Sequence, residues 1–73
     1  MDIRVKIGLR IKELRKAKGL SQEQLALKAD IDRTYMASVE NGKRNVAIVN
    51  IEKIVAALGE SFESFFNGFD REK

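Results

Sequence analysis

The sequence contains no cysteine and no histidine, and these absences exclude several kinds of protein. Disulfides and the usual zinc sites are excluded. Acid–base and nucleophilic catalysis lack two of their commonest residues, and the carboxylates are scattered without metal-ligand spacing. Glycines stand singly, so no phosphate-cradling loop is present. We therefore expect no enzymatic activity, no metal, no cofactor and no small-molecule substrate.

Long apolar runs are also missing. No stretch is long enough to span a membrane, and the N-terminus has no signal-peptide core, so we expect a cytoplasmic protein without a membrane partner. A length of 73 residues predicts one domain, residues 1–73. A domain of this size has a small core and modest stability, which dimerisation would increase.

The net charge of +3 is unevenly distributed. Residues 1–45 carry a balance of +5, and residues 46–73 a balance of −2. A basic N-terminal part and an acidic C-terminal part fit a protein with one side facing DNA and another facing away. An ordinary solvated surface would explain the same asymmetry.

Proline is absent, and apolar residues recur with helical period between single glycines. The pattern predicts an all-α fold, a compact bundle of about five helices without repeats or linkers. The predicted helices are residues 3–18, 21–29, 33–41 and 46–58, followed by a short helix capped by Ser61. Gly8 costs about 1 kcal/mol relative to alanine, so the first helix is expected to fray before it. Asn45 is the expected N-cap of the fourth helix.

The segment Ser21–Gly42 organises the chain. Ser21 and Gln24 form a capping box that starts one helix, and Asp32 is an N-cap that starts the next. The first of these helices carries Leu25, Ala26 and Ala29 on one face, and the second carries Met36, Val39 and the Tyr35 ring. Two short amphipathic helices around a break predict a helix-turn-helix.

The second helix then leaves a slim polar face outward, with Arg33, Thr34 and Ser38 beside the small Ala37. A face of this kind fits the major groove, where arginine binds guanine bidentately and hydroxyls serve several base edges. We therefore expect Arg33, Thr34 and Ser38 to read bases. Tyr35 is open to two interpretations, since its ring closes the core while its hydroxyl is placed to reach phosphate or base.

The words LSQEQLA (Leu20–Ala26) and VENGKR (Val39–Arg44) resemble those of the Xre/Cro/phage-repressor family. The resemblance extends from about Ile7 to Leu58 and implies a lambda-repressor-like fold. The run DRTY followed by S-x-E and RN is more similar still to the controller proteins of restriction–modification systems. One departure is Asp30, where the family often has glycine, although Asp tolerates the left-handed conformation better than most residues.

The resemblance also implies roles for residues outside the recognition helix. Arg15 is expected to pair with Glu40 and fix the first helix against the third. Gln22, with Ser21 beside it, is expected at a DNA phosphate near a helix N-terminus. The polar residues after the third helix flank its end and are expected to hold the DNA backbone on the other side: Lys43, Arg44 and Asn45.

Four phenylalanines in eight residues exceed what one face of a short terminal helix needs. They are placed at i, i+3, i+4 and i+7, and an exposed aromatic patch of this kind usually marks an interface. The resemblance implies a two-fold homodimer through this region. Its predicted members are Val49, Phe62, Phe65, Phe66 and Phe69. A purely intramolecular core is the alternative.

Three functions fit these observations. The first is a sequence-specific transcriptional regulator, by resemblance a restriction–modification controller that binds a palindromic operator in double-stranded DNA at its own promoter, with RNA polymerase as a possible partner. The second is a phage-type repressor or the antitoxin of a toxin–antitoxin pair. The third is a protein-interaction adaptor that reuses the fold without DNA and would show no salt-dependent duplex binding.

Overall fold

The structure is a computed structural model that describes residues 2–71, so residues 1, 72 and 73 of the predicted domain lie outside it. Within that range the chain forms helices and no strands. The α-helices are α1 (Ile3–Ala17), α2 (Gln22–Ala29), α3 (Arg33–Glu40), α4 (Ile48–Ala57) and α5 (Phe62–Phe65). The all-α prediction with about five helices is confirmed. None of these helices is long and apolar enough to cross a membrane.

Helix α1 begins after Asp2, whose carboxylate accepts a hydrogen bond from the Arg4 N–H at 2.7 Å. Hydrogen bonds from the Arg4 side chain and backbone lower the pKa of the Asp2 carboxyl to about 2. The helix runs without interruption through Gly8, so the expected fraying before this residue is wrong. A Cβ at position 8 would lie 2.5 Å from the Val39 carbonyl oxygen and 2.6 Å from that of Glu40. Gly8 therefore allows α1 to approach the end of α3 closely.

Helices α2 and α3 form the predicted helix-turn-helix. The capping box between Ser21 and Gln24 is present in both directions, and the Asp32 carboxylate accepts from the Tyr35 N–H at 3.1 Å. Asp30 occupies the left-handed conformation with a φ of 57°. A short polar side chain thus serves where glycine would relieve the strain of the turn.

The core lies where α1 and α2 pack on α3, and where α4 packs on α2. The helix-turn-helix residues predicted to face inward are buried there: Leu25, Ala26, Ala29, Met36 and Val39. Ile11 from α1 and Ile54 from α4 join the same cluster. The two short helices are therefore stabilised by packing between α1 and α4, since helices of eight residues are marginal alone.

The start of α4 differs from its prediction. The N-cap is Ala47, which makes no side-chain cap hydrogen bond, and Asn45 lies exposed in the preceding segment. Val46 packs partly buried against the core, which keeps the chain extended past Asn45. Ile48, the first residue of α4, is 69% exposed. Burial of Val46 explains why the helix starts two residues late.

The four phenylalanines do not share one helix. Helix α5 ends after four residues, with Phe66 as its C-cap, and a 3₁₀ turn follows at Phe69–Arg71. Phe65 is 0% exposed within the subunit, which corrects its assignment to the dimer interface. Phe66 and Phe69 are partly buried, with their ring centroids 5.0 Å apart in an edge-to-face arrangement. Much of the aromatic surface is thus used inside the subunit.

Candidate nucleic-acid interface

The outward face of α3 carries the predicted base-reading residues together. Arg33 and Thr34 are exposed on the first turn, where no carboxylate of α3 stands beside them. Ser38 lies one turn later, and its hydroxyl donates to the Thr34 carbonyl at 3.2 Å. Because the Ser38 proton is used within the helix, the oxygen lone pairs stay available to accept from a base amino group.

Tyr35 sits behind this face with its side chain half-buried. The Asn50 Nδ2 of α4 donates to the Tyr35 hydroxyl at 3.2 Å. The Arg44 guanidinium lies over the ring, 5.0 Å from its centroid, in a cation–π arrangement. Sequence reasoning missed Asn50; the only signal was one amide in the apolar run of α4.

The segment between α3 and α4 presents the predicted backbone-holding residues. Gly42 allows the turn with a φ of 72°, and the Lys43 N–H donates to the Ser38 carbonyl at 3.0 Å. Lys43, Arg44 and Asn45 are exposed on this segment. Their side chains therefore flank the end of α3, two of them cationic.

On the other side, a hydrogen-bonded cluster links α1, α2 and α3. The Arg15 guanidinium donates to Glu40 from Nε at 2.8 Å and from Nη2 at 3.1 Å, so the expected ion pair is present. The Gln22 Nε2, at the first position of α2, donates to Glu40 Oε1 at 3.0 Å. Gln22 is thus tied to the ion pair, a link that sequence reasoning did not find.

Ser21 remains exposed beside Gln22. Its hydroxyl oxygen accepts from the Gln24 N–H at 3.0 Å, and its own N–H donates to Gln24 Oε1 at 2.8 Å. The capping box uses these two groups, and the hydroxyl proton is left for a partner outside the helix.

Two apolar side chains of the predicted dimer interface are exposed, one in α4 and one at the C-terminal end of the chain. Val49 is 60% exposed and Phe62 is 46% exposed. Arg10 of α1 fixes this end, because its guanidinium donates to the Phe65 carbonyl at 2.8 Å and the Ser64 carbonyl at 2.6 Å. Lys6 donates to the Phe69 carbonyl and lies over its ring. Cations of α1 thus hold the short C-terminal elements in place.

Similarity to known proteins agrees with this geometry. The helix-turn-helix family matches residues 11–65. The control protein C.MunI of Mycoplasma sp is 50% identical over 72 residues, which make up 97% of this chain and 97% of C.MunI. This chain belongs to the helix-turn-helix family of control proteins. The resemblance drawn from the words LSQEQLA and VENGKR is confirmed.

Solved structures of controller proteins superpose on most of this chain. The crystal structure of the restriction–modification controller protein C.AhdI from Aeromonas hydrophila superposes with a TM-score of 0.83 at 51% identity, covering 86% of this chain and 96% of that one. The tetramer of the controller C.Esp1396I, in complex with its natural 35 base-pair operator, gives 0.89 at 35% identity, covering 97% and 93%. The fold of this chain is therefore one with which a relative binds operator DNA.

Within residues 2–71, the acidic side chains form no group of three or more that could hold a metal ion. The side chains gathered around α3 are hydrogen-bond donors, acceptors and cations. Groups of this kind bind phosphates and base edges.

Proposed function

We propose that this chain is the controller of a restriction–modification system and binds a palindromic operator at its own promoter as a homodimer in the cytoplasm. The observation that carries the proposal is the outward face of α3, which presents Arg33, Thr34 and Ser38 together. Membership of the control-protein family supports it.

In this proposal α3 enters the major groove and its first turn meets the base edges. Arg33 is the reader with the greatest specificity, since a bidentate arginine–guanine contact contributes about 1–3 kcal/mol of discrimination. Thr34 and Ser38 add hydroxyls, and the Ser38 oxygen is oriented to accept from adenine or cytosine amino groups.

Backbone contacts fix the register of the protein on the duplex. Gln22 and Ser21 hold one phosphate region at the start of α2, where backbone N–H groups and the helix dipole favour an anion. Lys43, Arg44, Asn45 and the Tyr35 hydroxyl hold another beyond the end of α3. The two groups come from separate elements, the start of α2 and the segment after α3, so in this proposal they contact the DNA backbone at two places.

Two such subunits would meet through the exposed apolar surface at the C-terminal end. We assign to this surface Phe62 and Val49, which are exposed, and Phe66 and Phe69, which are partly buried. A two-fold dimer presents its recognition helices to successive major grooves, so the half-sites should lie about 10 base pairs apart. RNA polymerase at that promoter is a further partner in this proposal.

The salt dependence of duplex binding tests this function. With contacts from two subunits, on the order of 6–10 phosphates should be neutralised, and affinity should fall roughly 10³–10⁵-fold between 50 and 200 mM salt. Fluorescence anisotropy of a labelled duplex carrying the upstream region of the gene provides the measurement. Binding that does not respond to salt would favour an adaptor that uses the fold for protein partners.

The neighbouring genes separate the controller from its alternatives. A controller should lie beside a nuclease and a methylase gene. A lysis gene in that position would favour a phage-type repressor, and a toxin gene would favour an antitoxin.

A further inference from the structure

Asn50 of α4 forms a side-chain pair with Tyr35 of α3, and the proposed function gives Asn50 no role. Asn50 is half-buried in the first turn of α4, between Val49 and Ile51. Its Nδ2 donates to the Tyr35 hydroxyl at 3.2 Å. A polar side chain held between two helices in this way loses the partners that water would offer, so its orientation is set by the bond it makes.

The direction of this hydrogen bond determines which further hydrogen bond the Tyr35 hydroxyl can make. A phenol accepts on its oxygen and has one proton to donate. Because Asn50 occupies the accepting side, the proton is directed elsewhere, and within residues 2–71 no side chain or carbonyl receives it. A hydroxyl that accepts one hydrogen bond is also polarised into a stronger donor.

The surroundings select the acceptor that would take this proton. The Arg44 guanidinium lies over the same ring, 5.0 Å from its centroid, and the neighbouring Lys43 is exposed. The nearby acid, Asp32, has a carboxylate oxygen engaged with the Tyr35 N–H. A positively charged rim around a hydroxyl donor favours an anionic oxygen over a neutral base edge.

We infer that Asn50 is a positioning residue for DNA binding: it holds the Tyr35 hydroxyl as a donor to a DNA phosphate. The inference rests on the proposed function, since it requires α3 to lie in the groove. It places a specific task on α4, which otherwise supports the core. The Arg44 guanidinium over the ring then adds positive charge near the same phosphate.

A double-mutant cycle on DNA affinity tests the inference. The proteins are the wild type, Asn50→Leu, Tyr35→Phe and the double variant, with Asn67→Leu, at an exposed asparagine after α5, as the matched control. Leucine keeps the size of asparagine and removes the donor. Each single variant should bind about 3- to 10-fold more weakly, the range for one net hydrogen bond. The double variant should lose no more than Tyr35→Phe alone.

Two duplexes, the operator and a scrambled sequence, identify the acceptor. A phosphate contact predicts the same fold-change on both duplexes. Losses confined to the operator would overturn the phosphate assignment, and additive losses in the cycle would overturn the positioning role. Unchanged affinity of Asn50→Leu, with the wild type still binding, would overturn the inference alone. A wild type that binds neither duplex would overturn the proposed function as well.

Asn50→Asp keeps the test decisive if Asn50→Leu does not fold. The carboxylate retains the size of asparagine but accepts the Tyr35 proton, so it competes with the phosphate for it. We expect Asn50→Asp to weaken binding, and to weaken it less in the Tyr35→Phe background because only charge repulsion then remains. Equal losses in the two backgrounds would contradict the positioning role.

Discussion

Arg15 and Glu40 join the end of α1 to the end of α3 through two hydrogen bonds, at 2.8 and 3.1 Å between side-chain atoms. The Glu40 side chain is fully buried, and that of Arg15 is nearly so. A third donor, the Gln22 Nε2, reaches the same carboxylate. The pair therefore sets the position of the recognition helix and of the first residue of α2 together.

Removing either partner should be costly, because a buried charge is left without its counterion. We expect Arg15→Ala and Glu40→Ala each to lower the free energy of unfolding by roughly 3–5 kcal/mol. The double variant should lose much less than the sum of the two. Urea denaturation of the four proteins measures the coupling. Additive losses would show that the two side chains act independently in solution.

Replacing Gly8 with alanine should change the stability of the protein through two opposing effects, helix propensity and steric contact. Helix propensity alone favours Gly8→Ala by about 1 kcal/mol. The added methyl group would meet the carbonyl oxygens of Val39 and Glu40, which are backbone atoms in a packed helix. We expect the contact to dominate and the variant to lose about 1–3 kcal/mol, as in other overpacked sites.

Thermal unfolding of Gly8→Ala checks this, with Ala17→Gly at the exposed end of α1 as a control for propensity. The control should lose stability through propensity alone. A Gly8→Ala protein more stable than wild type would mean that α1 and α3 are farther apart than described.

Phe62 and Phe65 should separate dimerisation from folding. Phe62 is 46% exposed in the subunit and Phe65 is 0% exposed. Phe62→Asp should therefore leave a folded monomer, whereas Phe65→Ala should lose roughly 3–5 kcal/mol of stability through the cavity that it creates. Sedimentation measures the first and urea denaturation the second. A Phe62→Asp protein that dimerises like wild type would place the interface elsewhere.

Local signals in the sequence predicted much of this fold. Ser21 with Gln24, and Asp32, were identified as caps because a cap depends on residue type and on a partner three residues away. Tertiary context overrode such signals in two places. Asparagine is a favoured N-cap residue, but Val46 packs on the core and α4 begins only at Ile48. Gly8 looked unfavourable for a helix, and its value lies in a contact with another helix.

The candidate site also combines features that local sequence predicts with features that depend on tertiary contacts. The outward face of α3 follows from helical spacing, so the sequence predicts that Arg33, Thr34 and Ser38 share it, while their role in reading bases stays a prediction. The links from Gln22 to Glu40 and from Asn50 to Tyr35 cross between helices, and no local pattern encodes them. The interface prediction failed for Phe65 because sequence spacing shows only which residues share a helix face. Helix α5 ends after four residues, and Phe65 is buried inside the subunit.

In the proposed complex, Arg33 reads a base while Arg44 holds the DNA backbone. Arg33 stands exposed on the first turn of α3, and Arg44 lies beyond Gly42 over the Tyr35 ring. Arg33→Ala should therefore weaken specific binding and relax the preference at one base pair of each half-site. Arg44→Ala should weaken binding to all sequences evenly and lower the salt slope by about 1 per subunit.

Selection of binding sites from a random duplex pool, run on the wild type and both variants, distinguishes these two roles. We expect Arg33→Ala to lose one selected base pair in each half-site, and Arg44→Ala to recover the full wild-type motif at lower affinity. If Arg33→Ala keeps the full motif while Arg44→Ala loses a base preference, then Arg44 reads the base and Arg33 holds the backbone.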